Sequence, residues 1–301
     1  MGRPGAPTRS GSTMIGNSIA VSRCEKGRWS IEYFWGHRNS GAPAPFFDSK
    51  SADFKYWPLD GFVMDGKLYA ALLRVHISSP AVPFGFEMKG VTLARIDNPR
   101  RNPLRWTIRY QPLSEGDRAV PGVSAVVRGS FVYLYAMADR ENHQTHSMLL
   151  SRIPLKSLDA PARVLAYRIK GNKWERGPDK SGAAAVVLKR GAPEMSFRYH
   201  TDLKKWVAVQ NSPEFASAPI LARTAPAPAG PWSAGRPVFQ IPEISSGRSL
   251  GVFCYAAKEH AEFRRPSGET LITYVCNTLD PENLTRRMDL YRPRVALVRV
   301  R

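Results

Sequence analysis

The chain has 301 residues, of which 43% are hydrophobic and 10% aromatic, which is enough apolar surface for a folded core and excludes wholesale disorder. Lys and Arg number 44 against 25 Asp and Glu, a net charge of +19. Because the arginines occur in every segment and no block of five like charges appears, a solvated basic surface is favoured over a nucleic-acid interface.

At the start of the chain, residues 1–13 (MGRPGAPTRSGST) lack the apolar segment of a signal peptide, so we expect a flexible N-terminal tail. No stretch of 18 apolar residues occurs, and no membrane span is predicted. The first predicted strands lie in Asn17 to Trp35, with a turn at Lys26-Gly27. No pair of inner strands precedes them.

From Gly61 onward a strand–turn–strand unit recurs four times, with starts roughly 60 to 72 residues apart, a spacing within reach of propeller blades. The four hairpins are Gly61–Val75, Gly122–Ala138, Met195–Asn211 and Tyr255–Asn277. Their turns are predicted at Asp65-Gly66, Arg128-Gly129, Asp202 and Arg264–Gly268. An apolar strand with a basic residue follows each hairpin, usually with a proline-bearing turn.

Helical periodicity is nearly absent, while 25 prolines and 23 glycines are spread through the chain. We therefore predict an all-β fold in which residues 14–301 form a single five-bladed β-propeller. Its first blade has only the outer strands of Asn17 to Trp35, so the repeats amount to four complete blades and a half-blade.

Three cysteines without C-x-x-C spacing argue against a disulfide framework or zinc ribbon. Cys254 and Cys276 fall on neighbouring predicted strands, yet buried free thiols are the expected state. His143 and His146 form an H-x-x-H pair without a third ligand. Neither a metal nor a cofactor is predicted.

Residues at the start of each inner hairpin converge on the channel of a propeller, and this convergence selects the candidate site. Asp60 and Glu194 are the predicted catalytic pair, since glycoside hydrolysis uses two carboxyls, one as proton donor and one as base or nucleophile. The predicted substrate-binding residues are Tyr56, Trp57, Ser196, Arg198, Tyr199, Tyr255, Lys258 and His260. The competing interpretation is that Asp60 is a turn residue and that Glu194 pairs with an arginine.

Several phrases also resemble the domain-of-unknown-function 4185 family: GNSIAVS, WPLDGFVMDGKLYAALLRV, MSFRYHTDLKKWVAVQ and CYAAKEHAEF, in the same order. The resemblance implies a five-bladed propeller related to glycoside hydrolase family 183, active on furanosides such as D-arabinan and secreted or in the cell envelope. The chain departs from that pattern in lacking the acidic inner strand pair ahead of NSIA, which puts activity in doubt.

Three functions follow as hypotheses. The first is a glycoside hydrolase acting on a furanoside-containing polysaccharide, with Asp60 and Glu194 about 5 to 10 Å apart. The second is a non-catalytic propeller that binds a glycan or a polyanion. If the ligand is a polyanion, its binding should weaken steeply as the salt concentration rises. The third is an inactive homologue truncated at its N-terminus. A polysaccharide or oligosaccharide is the expected partner, and we expect a monomer.

Overall fold

The computed structural model describes residues 15–25, 28–78, 85–116, 118–140, 145–177, 184–214, 216–246 and 251–300. The predicted N-terminal tail, the Lys26-Gly27 turn and His143 lie outside these ranges. The described part is an all-β propeller with four blades, each an antiparallel sheet whose strands follow one another along the chain.

An isolated hairpin opens the described chain. Strands β1 (Ile19–Glu25) and β2 (Arg28–Phe34) pair antiparallel, and β3 (Gly36–His37) pairs with β4 (Pro43–Ala44). Within the described ranges no other strand joins the β1–β2 sheet. This agrees with the two strands predicted for the first unit.

The first blade has four strands: β5 (Lys55–Met64), β6 (Lys67–Ile77), β7 (Phe86–Ile96) and β8 (Ile108–Glu115). The predicted Asp65-Gly66 turn joins β5 to β6, and both residues have positive φ, 49° and 71°. Asp and Gly tolerate that conformation, which explains the sequence signal.

The second blade is the widest, a six-stranded sheet. Its strands are β9 (Val120–Arg128), β10 (Phe131–Arg140), β11 (His146–Pro154), β12 (Ala166–Ile169), β13 (Lys173–Arg176) and β14 (Val186–Gly191). The last of these pairs with β11 rather than extending the outer edge. Tyr135 of this blade stacks on Phe197 of the following blade, at 3.6 Å between ring centroids.

The third and fourth blades follow along the described chain, and the predicted count of five blades stays a prediction. The third contains β15 (Ser196–His200), β16 (Lys205–Asn211), β17 (Pro219–Ala225) and β18 (Arg236–Gln240). The fourth has three strands, β19 (Val252–His260), β20 (Glu269–Thr278) and β21 (Pro293–Arg299). All four predicted hairpins are therefore confirmed as the inner pairs of the four blades.

Helices are short and lie between strands, as the weak helical periodicity predicts. They are α1 (Pro161–Val164), α2 (Pro242–Ser246) and α3 (Pro281–Arg286). Among the described residues, no helix has the length and apolar character needed to cross a bilayer.

The first strand of each blade is the innermost. Strand β5 contacts β9, β9 contacts β15, and β15 contacts β19, so these four strands surround a common axis. Side chains that leave the inner strands toward this axis meet there although they are distant in sequence.

The expectation that Cys254 and Cys276 are free thiols is wrong, because the two cysteines form a disulfide. They are direct cross-strand partners on β19 and β20, with Cα atoms 4.0 Å apart. The long turn of this hairpin hid the register from the sequence, and register alone places the two sulfurs face to face.

Candidate functional site

Bulges in three of the inner strands redirect side chains toward the axis. The pairing register shifts between Pro58 and Gly61 in β5 and between Tyr255 and Lys258 in β19. In β9 it shifts opposite Tyr135 and Ala136 of the neighbouring strand β10. A bulge turns the side chains on its strand to the other face and is frequent beside active sites. Asp60, Ser124 and Lys258 stand at these irregularities. Arg198 of β15 donates hydrogen bonds to Asp60 and Ser124, and Lys258 donates to the carbonyl of Leu59, next to Asp60. We call these four residues the axial cluster.

Asp60 is held by four hydrogen bonds. The guanidinium of Arg198 donates from Nη1 to Oδ2 at 2.9 Å and from Nη2 to Oδ1 at 3.2 Å. The backbone N–H groups of Gly61 and Ala125 each donate at 2.9 Å. Burial acts against the charge, but Arg198 and Lys258 hold the pKa of Asp60 below its ordinary value. Asp60 is therefore an ionised, saturated acceptor.

Ser124 joins β9 to β15 at the same level. Its Oγ accepts hydrogen bonds from Arg198 Nη1 at 2.7 Å and from the backbone N–H of Phe197 at 3.0 Å, and donates to the Phe197 carbonyl at 3.1 Å. Arg198 Nη1 also donates to that carbonyl at 2.9 Å. This network fixes the guanidinium against Asp60.

Lys258 connects the last blade to the first two. Its Nζ donates to the Leu59 carbonyl at 2.7 Å and the Val123 carbonyl at 3.3 Å. Burial lowers the pKa of Lys258, an effect that Asp60 and Glu194 oppose. The ammonium is thus shared between two backbone carbonyls and two nearby carboxyl groups.

Glu194 precedes β15, and its carboxyl interacts electrostatically with Lys258. Within the described ranges its carboxyl has no hydrogen bond or ion pair except to its own backbone N–H. Burial raises the pKa of Glu194, and the Lys258 charge only partly offsets this. Tyr255 lies near enough for the Glu194 charge to contribute to raising the pKa of the phenol, after burial. Glu194 is the carboxyl of this site that is both partly accessible and disposed to hold a proton.

A buried pair lies behind the axial cluster. The Nε2 of His200 donates to Glu259 at 3.0 Å, and both side chains are fully excluded from solvent. Ser196 Oγ accepts a hydrogen bond at 2.8 Å from the backbone N–H of Glu259. Ser196, Arg198 and His200 therefore share the face of β15 that meets β19.

Comparison with known proteins gives the family. The family described as "Domain of unknown function (DUF5005)" matches residues 7–300. The chain belongs to the DUF5005 family. The expected membership of the domain-of-unknown-function 4185 family is wrong, because the family model that matches the chain is that of DUF5005. No curated protein matches the chain.

Solved structures support the fold of this DUF5005 protein. A "putative hydrolase" from Bacteroides ovatus aligns at 14% identity with a TM-score of 0.61, over 82% of this chain and 61% of its own. A GH43_1 enzyme from Xanthomonas citri aligns at 12% identity and a TM-score of 0.47, over 94% and 86% of the two chains. The xylan β-1,4-xylosidase of Bacillus halodurans aligns at 10% identity and 0.46, over 94% and 51%.

The DUF5005 chain therefore spans less than two thirds of the Bacteroides ovatus protein and about half of the xylosidase. At these identities the likeness concerns the fold, and the local chemistry has to be argued from this chain's own residues.

Some predicted binding residues lie away from the axial cluster of this DUF5005 propeller. Tyr56 is buried and stacks on Tyr110 at 5.5 Å between centroids. Trp57 packs edge-on against Phe86 at 4.8 Å. Both rings serve packing of the first blade, because the bulge after Pro58 separates them from Asp60.

Tyr199 and His260 take intermediate positions. The ring of Tyr199 is covered by the Arg128 guanidinium, 3.4 Å from its centroid. His260 Nε2 lies 2.8 Å from Thr273 Oγ1, and its Nδ1 lies 3.3 Å from Glu262. The Glu262 charge reaches Arg198, so His260 and Glu262 border the cluster on the side where the hairpins turn.

The described residues contain no group of three His, Cys, Asp or Glu side chains placed to hold a metal ion. His146 of the H-x-x-H pair is buried, with Nδ1 2.9 Å from the Ala138 carbonyl oxygen. It has a structural role in the second blade.

Sequence reasoning missed Ser124, His200 and Glu259. Ser124 lies in an apolar strand, where a single serine carries no signal. For the other two the sequence did hold a signal. His200 lies two residues after Arg198 and four after Ser196, so the three side chains share one face of a strand, and Glu259 directly follows Lys258 on another strand.

Proposed function

We propose that this DUF5005 propeller acts on a glycan as a glycoside hydrolase, with Glu194 as the proton donor to the leaving oxygen. The observation that carries the proposal is the state of the Glu194 carboxyl: partly accessible, hydrogen-bonded to no other described residue, and raised in pKa by burial. A general acid must hold its proton near the working pH, and burial is the usual way to achieve this.

The role of Asp60 in this proposal is that of a positioning residue. A base or nucleophile needs a free lone pair, and the carboxylate of Asp60 already accepts from Arg198, Gly61 and Ala125. It holds the Arg198 cation at a fixed point beside Lys258, and Lys258 in turn faces Glu194. We assign no second reacting carboxyl.

The fold likeness is to a "putative hydrolase" from Bacteroides ovatus. The glycan substrate is our inference from the acidic and basic side chains that lie at the axis. The furanoside expectation rested on the resemblance that the family match replaced. The proposal therefore covers both sugar ring forms, and the substrate panel has to contain both.

The test is hydrolysis of aryl and unactivated glycosides, furanosides and pyranosides, by the wild-type protein and Glu194→Gln. We expect the variant to lose about 10²- to 10⁴-fold in rate on a poor leaving group, because no proton reaches the departing oxygen. A dinitrophenolate leaving group needs no proton, so its loss should be much smaller. Glu282→Gln, at an exposed carboxyl of α3, is the matched control.

Equal losses on both leaving groups would remove the general-acid role, and undiminished hydrolysis by Glu194→Gln would remove Glu194 from the reaction. A second function is favoured by the saturation of Asp60, which leaves Glu194 as the available carboxyl at the axis among the residues that the structure describes. That function is glycan binding without hydrolysis. Its signature is tight oligosaccharide binding by a wild-type protein that releases no reducing ends.

A further inference from the structure

A cleft lies on the opposite side of the buried His200–Glu259 pair, where the β15–β16 turn meets the segment between β19 and β20. It consists of two cavities of about 400 and 360 Å³ that share Asp202, Arg264 and Pro266. The larger is also lined by His200 and Arg265, and the smaller by Lys205. We call this the turn-side cleft. It is separate from Glu194, which lies at the start of β15.

The lining of the turn-side cleft is cationic. Lys205, Arg264 and Arg265 contribute three positive charges, against one carboxylate from Asp202. Arg264 neutralises that carboxylate, donating from Nε at 3.1 Å and Nη2 at 2.8 Å to the same oxygen. The Arg264 guanidinium keeps the pKa of Asp202 below its ordinary value. Two cations remain to be balanced.

Those two cations are poorly engaged. Lys205 forms no ion pair with any described residue, and Arg265 lies 3.8 Å from Glu269 with more than half of its side chain exposed. The electrostatic potential of the cleft is therefore positive, which favours an anionic ligand.

A buried nitrogen atom without a partner points the same way. Nη1 of Arg264 is buried with no hydrogen-bond partner among the described residues. An unpaired buried donor is costly, so a ligand that supplies acceptor oxygens would gain the energy of satisfying it.

We propose that the turn-side cleft binds the carboxylate of an acidic sugar unit, a hexuronic acid within a glycan. The cavity volumes suit a sugar ring, and Pro266 with Leu203 offers an apolar wall for a ring face. The guanidinium Nη1 of Arg264 and the charges of Arg265 and Lys205 face the carboxylate. The choice of a glycan as the carrier of this carboxylate rests on the proposed function.

The position of the cleft gives the bound unit a route to the axial cluster. His200 and Arg198 lie on the same face of β15, and Glu259 follows Lys258 on β19. A glycan anchored by an acidic unit at the turn side would lie along β15 and β19, the two strands that carry Arg198 and Lys258 of the cluster. The cleft then selects acidic glycans, whichever reaction follows.

The experiment measures binding of a hexuronic acid oligosaccharide by calorimetry, in the Glu194→Gln variant so that hydrolysis cannot consume the ligand. We expect the carboxyl-reduced, neutral oligosaccharide to bind at least about tenfold more weakly. Lys205→Gln combined with Arg265→Gln should weaken binding of the acidic form by a similar factor. Lys50→Gln combined with Arg286→Gln removes the same two charge types at exposed sites elsewhere and should leave binding unchanged.

Equal affinity for the acidic and reduced oligosaccharides overturns the proposal, as does normal binding by the Lys205/Arg265 double variant. Inorganic phosphate and free glucuronate are tested as competitors. Displacement by phosphate at a lower concentration than glucuronate would show a phosphate site and overturn the sugar assignment. Because binding is read without turnover, failure of the hydrolase proposal leaves this result interpretable.

Discussion

The carboxylate of Asp60 and the guanidinium of Arg198 form a two-pronged ion pair that is largely shielded from solvent, with 12% and 19% of the side chains exposed. Replacing Asp60 with Asn leaves the Arg198 charge buried without compensation. Loss of one partner of a buried pair costs about 3–5 kcal/mol, and we expect a lower free energy of unfolding by that order in urea titrations of Asp60→Asn. Unchanged stability together with lost hydrolysis would instead return Asp60 to a catalytic role.

The same pair has a signed pH dependence. The pKa of Asp60 is lower in the folded than in the unfolded protein. Its contribution to stability is therefore present above the unfolded pKa and is lost as pH falls through the folded pKa. Asp60→Asn should differ least from wild type in strong acid, which gives the titration an internal control.

The contribution of Glu194 to stability depends on pH with the opposite sign. Burial raises its pKa in the folded protein, so the folded state binds the proton more tightly than the unfolded state does. Its contribution to the free energy of unfolding is full below the unfolded pKa and is lost as pH rises through the folded pKa. We expect Glu194→Gln to be more stable than wild type at neutral pH and to converge with it in acid, as measured by urea unfolding across pH. A variant less stable at neutral pH would contradict the burial argument.

At the scale of elements, the β19–β20 hairpin carries Lys258 and one wall of the turn-side cleft and is closed by the Cys254–Cys276 disulfide. A cross-link over a separation of 22 residues removes conformational entropy from the unfolded chain. For a loop of this size the stabilisation is about 3 kcal/mol. We expect Cys254→Ser combined with Cys276→Ser to lower the denaturant midpoint accordingly.

The control for the disulfide is the third cysteine. Cys24→Ser keeps the disulfide and should unfold like wild type. Reductant should destabilise wild type and Cys24→Ser, but not the Cys254/Cys276 double variant. A reductant effect that persists in the double variant would show that the disulfide is not its source.

The hairpins were predictable from the sequence, and their bulges were not. Alternation of apolar residues around Asp65-Gly66 or Arg128-Gly129 is a local signal that each strand pair carries by itself. The register shift in β19 involves Ala256, with φ of 58°, and Ala257, whose N–H is held by Asn211 Oδ1 of another blade at 2.8 Å. An alanine gives no warning of a left-handed conformation, because the partner that stabilises it is distant in sequence.

The candidate site was predictable only to the same extent. Convergence of inner strands predicted that Asp60, Arg198, Lys258 and Glu194 lie near one axis, and in the structure Arg198 bonds Asp60 while the Lys258 charge acts on both Asp60 and Glu194; their catalytic and binding roles stay a prediction. It could not show that Arg198 saturates Asp60, since that pairing depends on Ser124 and Ala125 of a blade between them. Tyr56 and Trp57 were misplaced because one inserted residue in β5 turns neighbouring side chains to opposite faces.

At the scale of the whole molecule, Lys258 links the fourth blade to the first and second through the Leu59 and Val123 carbonyls. Among the described contacts, the Lys258–Leu59 hydrogen bond joins the last blade to the first, whereas β19 otherwise packs on β15 and β16 of the third blade. Lys258→Met removes these hydrogen bonds and the positive charge that acts on Asp60 and Glu194. We expect a loss of about 3 kcal/mol in the free energy of unfolding.

The double variant Lys258→Met/Glu194→Gln separates the two causes of that loss. If charge balance matters, removing the Glu194 carboxyl recovers part of the loss, because interacting residues are not additive. The lost carbonyl hydrogen bonds are not recovered, so amide hydrogen exchange in β5 and β19 should stay faster than in wild type in both variants. If the changes in the free energy of unfolding of the two single variants add up to that of the double variant, Lys258 and Glu194 do not interact. Wild-type exchange in β5 would show that the propeller is closed without Lys258.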